Sequence, residues 1–376
     1  MGISGDFMVI NIDKNMVALR CPTAFGQLQS PCAELRVPRE LFPGDSSVFS
    51  KTNAMTAAAL SLSAADEATL AENLRTLGYG ELLSVGNSGE RGGIGMYLAS
   101  RTHDRVIDVI AVLKSTEGSE WFSNFDIGYT AEHSGFSKAA DFAEQKTGDY
   151  IFTRAIGTRP RFFITGYSRG GAVANILSKR LCDRYGTDGV RCYTLASPAV
   201  TISRRQARYN CIFNLIRDED LFTRIPPESW GYSRYGRDIS LSDTGDISER
   251  YRELCGDDYI GFTRRGCVDS FLCAVTRLAP NVRAYYKRKR DIGGAKLSMY
   301  EFMTSVAGML SGEADDNAAD ILAGALVSEY ADIVSFLSSG ADLYELASSA
   351  CGIPRCSVAD SHSPAAYMAA LERFLG

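Results

Sequence analysis

The stretch Arg161-Phe-Phe-Ile-Thr-Gly-Tyr-Ser-Arg-Gly-Gly171 carries the reading of this sequence. Residues Arg161 to Thr165 form a short apolar run of aromatic and β-branched side chains, which predicts a strand. From Gly170 to Tyr185 the residues Val173, Ile176, Leu177 and Leu181 recur at helical spacing, which predicts a helix with one apolar face. Between them stands Gly166-Tyr-Ser-Arg-Gly170, a G-x-S-x-G pattern at a strand-to-helix turn. So tight a turn needs flanking residues without side chains, and the two glycines supply them. Ser168 is thereby lifted above the carboxyl edge of a sheet, beside helical N–H groups that favour developing negative charge. An ordinary glycine-rich turn is the plain alternative. The strand before, the helix after and the small residues Gly171, Ala172 and Ala174 argue for a nucleophile instead.

Working outward, the chain alternates strand and helix. Tyr97 to Ala99 and Val106 to Leu113 read as adjacent strands, Ser137 to Ile156 as a helix, and Val190 to Leu195 and Cys211 to Ile216 as further strands. Such alternation predicts an α/β fold, a mostly parallel sheet with helices on both faces. Before it, residues 1–50 form an N-terminal arm of short strands and turns punctuated by Pro22, Pro31, Pro38 and Pro43, and Asn53 to Leu77 reads as one helical stretch. The core is expected over 51–230. Residues 231–350 lose the alternation and become Tyr- and Arg-rich, then Ala-rich and helical, so they are expected as a mainly helical cap or lid. Residues 351–376 return to the core.

Composition excludes several classes. The 376 residues are 45% hydrophobic, enough for a large core, and the net charge of −5 lacks the basic surplus of a nucleic-acid binder. No uncharged apolar run is long enough to span a membrane; the best candidate, Ile321 to Val334, is broken by Glu329 and Asp332. No secretory signal pattern opens the sequence, so the expected location is cytoplasmic, with export by a removed or non-classical signal left open. The ten cysteines form no C-x-x-C pair, and with three histidines a zinc site is not expected. Most thiols should be free and buried; Cys351 and Cys356, around a Gly-Ile-Pro turn, are the pair to test as a disulfide. The glycine-rich stretch Gly86 to Gly95 lacks the Lys-Ser/Thr ending of a phosphate cradle.

A serine nucleophile needs a base and an acid. Chain order in folds with this elbow is Ser, acid, His, and His362 is the one histidine after Ser168. It stands before Ser363-Pro364, a helix start, where a surface histidine would also sit. His103 and His133 precede the nucleophile and read as structural. Asp218 and Asp220 both follow the strand Cys211 to Ile216, and the residues alone leave the choice between them open.

Several short motifs in one order resemble the class 3 lipases, a branch of the α/β-hydrolases, over about residues 90–230 and again near the C-terminus. They are His133-Ser-Gly-Phe136, the elbow, Ser197-Pro198, Asn214, Asp220-Leu-Phe-Thr-Arg-Ile-Pro226, and Ser361-His-Ser-Pro-Ala-Ala-Tyr367, the last resembling bacterial members. The resemblance implies an α/β-hydrolase fold with Ser168, Asp220 and His362 as catalytic triad. It also implies an oxyanion hole built from the N–H of Arg169 and from Thr116 in Leu113-Lys-Ser-Thr116, where Ser115 replaces the family's usual Gly. Arg169 is a second departure, because the family is usually apolar there; a cation beside the pocket would favour an anionic substrate group, unless it points into solvent. The implied activity is hydrolysis of acylglycerols, phospholipids or simpler carboxylic esters through an acyl-serine, with no cofactor or metal. Transient contact with a lipid surface is a further expectation, through Arg283, Lys287, Arg288, Lys289 and Arg290 of the insertion, although a solvated helix face explains them too. Two alternatives stand beside this reading: a non-catalytic relative that binds lipid or a partner, and an acyltransferase or thioesterase with the same triad.

Overall fold

In the computed structural model, residues 15–23, 32–86, 93–115, 130–203, 206–226, 228, 231–242, 245–260 and 360–375 are described. The strands are β1 (Met16–Pro22), β2 (Cys32–Pro38), β3 (Leu83–Val85), β4 (Met96–His103), β5 (Val106–Leu113), β6 (Arg159–Tyr167), β7 (Val190–Leu195), β8 (Ile212–Ile216) and β9 (Arg237–Ser240). The helices are α1 (Lys51–Ser63), α2 (Glu67–Thr76), α3 (Ser134–Arg154), α4 (Arg169–Tyr185), α5 (Ser248–Cys255) and α6 (Pro364–Leu375). Strands β3 to β9 form one sheet in sequence order. The pairs β3–β4 and β4–β5 are antiparallel, and every pair from β5 to β9 is parallel.

The period of two in the strands divides the core. In β6, Phe162 and Ile164 face one side and Phe163 and Tyr167 the other; β5 divides Val109 and Ala111 from Ile110 and Val112 in the same way. Helices α3 and α4, the crossovers on either side of β6, both pack on the first side. Right-handed connections between strands laid down in order put their helices on one face. The opposite face is covered by the ends of the chain: α1 and α2 before the sheet, α5 and α6 after it. Helix α1 lies between the sheet and the β1–β2 ribbon, touching both. That sandwich explains why Ala54, Ala57, Ala58, Leu60 and Leu62 are buried around its whole circumference.

Three element boundaries differ from the sequence reading. The helical stretch 53–77 is two helices, because the Asp66 carboxylate accepts from Ala68 N at 3.1 Å and starts α2 afresh. Helix α3 begins at Ser134, one residue after His133. The core also continues past residue 230. Strand β9 pairs with β8 from Phe213↔Arg237 to Ile216↔Ser240, and α5 packs against α6, where Arg250 Nε meets Glu372 Oε2 at 2.5 Å. Residues 261–359 lie outside the described residues, and with them the cap, the basic cluster and the Cys351–Cys356 pair. The described chain stops and resumes at one place, since Ile260 N donates to Asp360 Oδ2 at 2.9 Å.

Candidate active site

Strand β6 ends at Tyr167 and α4 begins at Arg169, leaving Ser168 alone in the turn at φ 55° and ψ −123°. A positive φ is costly for a residue with a Cβ, on the order of 1–3 kcal/mol, and persists where surrounding packing over-determines it. That packing is backbone against backbone. A Cβ on Gly166 would stand 2.4 Å from the Gly170 carbonyl, and one on Gly170 would stand 2.4 Å from Leu113 O and 2.5 Å from Lys114 O. The two glycines therefore let β6, α4 and the end of β5 converge. The Ser168 N–H donates to Leu195 O at 2.9 Å, which ties the turn to β7.

The candidate acid, Asp220, lies just after β8. Asp220 caps a short 3-10 turn, Leu221–Arg224, with Oδ1 accepting from Phe222 N at 3.0 Å. This leaves Oδ2 for His362, whose Nδ1 lies 2.7 Å away. His362 Nε2 in turn lies 2.9 Å from Ser168 Oγ. Asp220 is fully buried, His362 is 5% exposed, and Ser168 is half-buried, so only the Ser168 end of the relay faces outward. With Asp220 ionised, the neutral ring carries its proton on Nδ1 and presents a bare Nε2 to the hydroxyl, a tautomer assigned from these partners. Asp218 does not take part; its carboxylate meets Arg224 Nη1 at 3.4 Å.

Two tyrosines that sequence reasoning gave no role hold this arrangement. The Tyr167 hydroxyl donates to the His362 carbonyl, and the Tyr367 hydroxyl donates to Asp220 Oδ2 at 2.7 Å. Their rings meet edge to face at 5.7 Å. Burial first, and then the negative charge of Asp220, push the Tyr367 hydroxyl well above the usual tyrosine range, so it remains a donor. The available signals were their places in motifs, Tyr167 inside the elbow and Tyr367 closing the histidine segment. The Phe222 ring covers His362 at 4.6 Å. Arg234 gathers the loops behind the acid: its Nε donates to Ser197 O at 2.7 Å, its Nη1 to Asp238 Oδ2 at 2.8 Å and its Nη2 to Thr223 O.

The remaining sequence candidates separate clearly. Arg169 opens α4, so its backbone N–H stands at the helix start next to Ser168, but its side chain is buried and Nη2 donates to Gly93 O at 2.9 Å. The guanidinium does not point into solvent; it holds the segment that enters β4. Thr116 lies outside the described residues, while the Leu113 and Lys114 carbonyls before it pack on Gly170. Asn214 is structural: its Oδ1 accepts from Asn175 Nδ2 and Thr194 Oγ1, each at 2.8 Å. His133 caps α3 and stacks on Phe136 at 4.0 Å, away from the triad. His103 pairs with Asp108 at 3.0 Å near the opposite edge of the sheet. Among the described residues no His, Cys, Asp and Glu side chains group to hold a metal, and no helix is long and apolar enough to cross a membrane.

Residues 97–230 match the family described as lipase (class 3). Comparison with curated proteins finds no match. Among solved structures, a fungal lipase–inhibitor complex is similar at 17% identity and a TM-score of 0.34, covering 42% of this chain and 65% of that one. The lipase of Rhizopus microsporus var. chinensis is similar at 18% identity and a TM-score of 0.38, covering 50% and 72%. The Rhizomucor miehei lipase–propeptide complex is similar at 16% identity and a TM-score of 0.37, covering 59% and 83%. This chain thus spans just under two thirds of the first of these lipases. The stretch that matches the class 3 lipase family, residues 97–230, holds both Ser168 and Asp220.

Proposed function

We propose that this chain is a serine hydrolase that cleaves carboxylic esters, with lipid esters as the substrate class, through an acyl-Ser168 intermediate. The observation that carries the reading is the unbroken relay Ser168 Oγ–His362 Nε2–Asp220, at 2.9 and 2.7 Å. A hydroxyl is a weak nucleophile until a base accepts its proton, and Nε2 stands where that proton leaves. Ser168 Oγ attacks the ester carbonyl while Nε2 takes the proton. Asp220 stabilises the imidazolium across the Nδ1–H bond. The imidazolium then protonates the leaving alkoxide, and water deacylates the serine by the same route in reverse order. The tetrahedral oxyanion is assigned to the Arg169 N–H at the start of α4 and to Thr116. Each such donor is worth about 3–4 kcal/mol in the transition state.

Phosphonate labelling followed by peptide mapping tests the nucleophile: Ser168 should carry the adduct, and Ser168→Ala should lose both labelling and p-nitrophenyl ester hydrolysis. Turnover by the alanine variant above trace level would overturn the reading. A panel of esters of rising acyl length, presented in solution and at detergent interfaces, then decides between soluble esters and lipids. A preference for soluble short-chain esters would remove the lipid part of the reading.

A further inference from the structure

Asp220 Oδ2 serves two donors at once. His362 Nδ1 and the Tyr367 hydroxyl both approach it at 2.7 Å, while Oδ1 is taken by Phe222 N. Tyr367 is fully buried, and its oxygen also accepts from Arg217 N at 3.3 Å, so the phenol joins α6 to both ends of the acid turn. His362 stands just before the same helix. Tyr367 thus fixes the relative position of acid and base, which are 142 residues apart in sequence.

We propose that Tyr367 is the positioning residue of the triad, and that its hydrogen bond to Asp220 Oδ2 sets how strongly the carboxylate stabilises the His362 imidazolium. The proposal deepens the hydrolase reading and rests on it for its catalytic meaning. The physical argument concerns charge on one oxygen. A donor from a neutral group spreads part of the carboxylate's charge away from the histidine, and its removal returns that charge to the Nδ1–H bond. Without the phenol, the imidazolium gains stability and the ring holds its proton to higher pH. The carboxylate also loses a support that fixes its plane, so attack geometry loosens. Tyr167 acts differently, because its bond is to the neutral His362 carbonyl and locates the backbone without touching the charge on Asp220.

Among the described residues, Ser168, Asp220 and the rings of Phe222 and Tyr167 contact His362. The Arg217 charge lies near Tyr367, and Arg217 itself meets Glu219 at 3.8 Å and Tyr259 at 2.9 Å. Asp360, two residues before His362, is held by Ile260 N, and Asp218 by Arg224. Tyr367→Phe removes one oxygen, keeps the ring and leaves every other charge in place.

The test is a nuclear magnetic resonance titration of the histidine rings in the full-length chain. Only three histidines contribute, and loss of one signal set in His362→Gln assigns His362. In Tyr367→Phe the His362 signals should titrate higher than in the unaltered chain by about half a pH unit. Tyr167→Phe should leave that titration in place. Incorporating 3-fluorotyrosine at Tyr367, which keeps the packing and strengthens the donor, should move the titration downward. In kinetics, Tyr367→Phe should lower kcat about tenfold with KM unchanged, and should cause no further loss in an Asp220→Asn background. An unmoved His362 titration in a folded Tyr367→Phe chain, or an equal kinetic loss with and without Asp220, overturns the proposal. The titration needs no turnover, so an inactive chain would sink the hydrolase reading while the signals still decide the role of Tyr367.

Discussion

Asp220→Asn tests the relay at its buried end, and the structure dictates how it should fail. All three polar contacts of the carboxylate are with donors: Phe222 N on Oδ1, His362 Nδ1 and the Tyr367 hydroxyl on Oδ2. An amide offers one acceptor atom and one donor atom. Phe222 N–H cannot reverse its role, so the amide oxygen must stay on that side, and the NH₂ then faces His362. Tyr367 can adapt by accepting, because a hydroxyl has lone pairs. His362 can adapt only by changing tautomer, with Nδ1 bare and the proton on Nε2. That proton occupies the lone pair that should receive the proton of Ser168, so the base is lost although every atom stays in place. The comparable substitution in serine proteases lowers kcat by about 10⁴-fold, which corresponds to about 5 kcal/mol of transition-state stabilisation. The assay is kcat for p-nitrophenyl butyrate at pH 8, with circular dichroism to show that the fold persists. Asp218→Asn, whose carboxylate instead meets Arg224, should cost less than threefold. A drop of less than tenfold in Asp220→Asn, or the larger loss in Asp218→Asn, would refute the reasoning.

The other expectations concern the scaffold. Gly170→Ala places a Cβ 2.4–2.5 Å from two backbone carbonyls of residues 113 and 114, so the loop there must shift; kcat should fall at least 100-fold and the protein should lose about 1–3 kcal/mol in urea titrations. Asp108 is fully buried between Arg161 at 2.7 Å, His103 at 3.0 Å and Arg101 at 3.2 Å. Burial pushes its carboxyl up, but Arg161, His103 and Arg101 outweigh that, and it ionises below the usual carboxylate range. A depressed carboxylate stabilises the fold above its unfolded value, near pH 4, and that contribution disappears as pH falls through the folded value. Asp108→Asn should therefore lower Tm by a constant amount above about pH 5, with the gap to the unaltered chain closing in more acid solution; a gap independent of pH would count against the assignment. Replacing residues 261–359 with a short Gly-Ser linker should preserve phosphonate labelling of Ser168, because Ile260 and Asp360 are already hydrogen-bonded and the contacts joining Ser168, His362, Asp220 and Tyr367 all come from outside that segment. Loss of labelling in a folded variant would show that the segment completes the site.

Sequence by itself determined those features whose physics is local. The elbow is an example: Gly166 and Gly170 are required by a turn a few residues long, and the strand and helix beside it declare themselves by period. His362 was reachable too, because chain order and the scarcity of histidine left one candidate. The acid was not. Asp218 and Asp220 are two residues apart in the same turn, and which carboxylate turns inward depends on how the chain leaves β8 and on the Phe222 N–H that captures Oδ1. Strand β9 escaped for a similar reason: its four residues are partly exposed and carry no clear alternation, and pairing with β8 is what makes them a strand. The single helix expected over 53–77 failed at Asp66, where a cap competes with continued helix. Arg169 shows the limit from the other side. Its position in the elbow was legible, but the direction of a long flexible side chain depends on what lies around it, and here a carbonyl at Gly93 draws it inward. Tyr367 depends on tertiary structure most completely, because its partner Asp220 is 147 residues away and the two meet only when α6 packs beside the end of β8. Local backbone geometry is written in neighbouring residues; the pairing of distant polar groups is decided by packing, and the candidate site consists of such pairs.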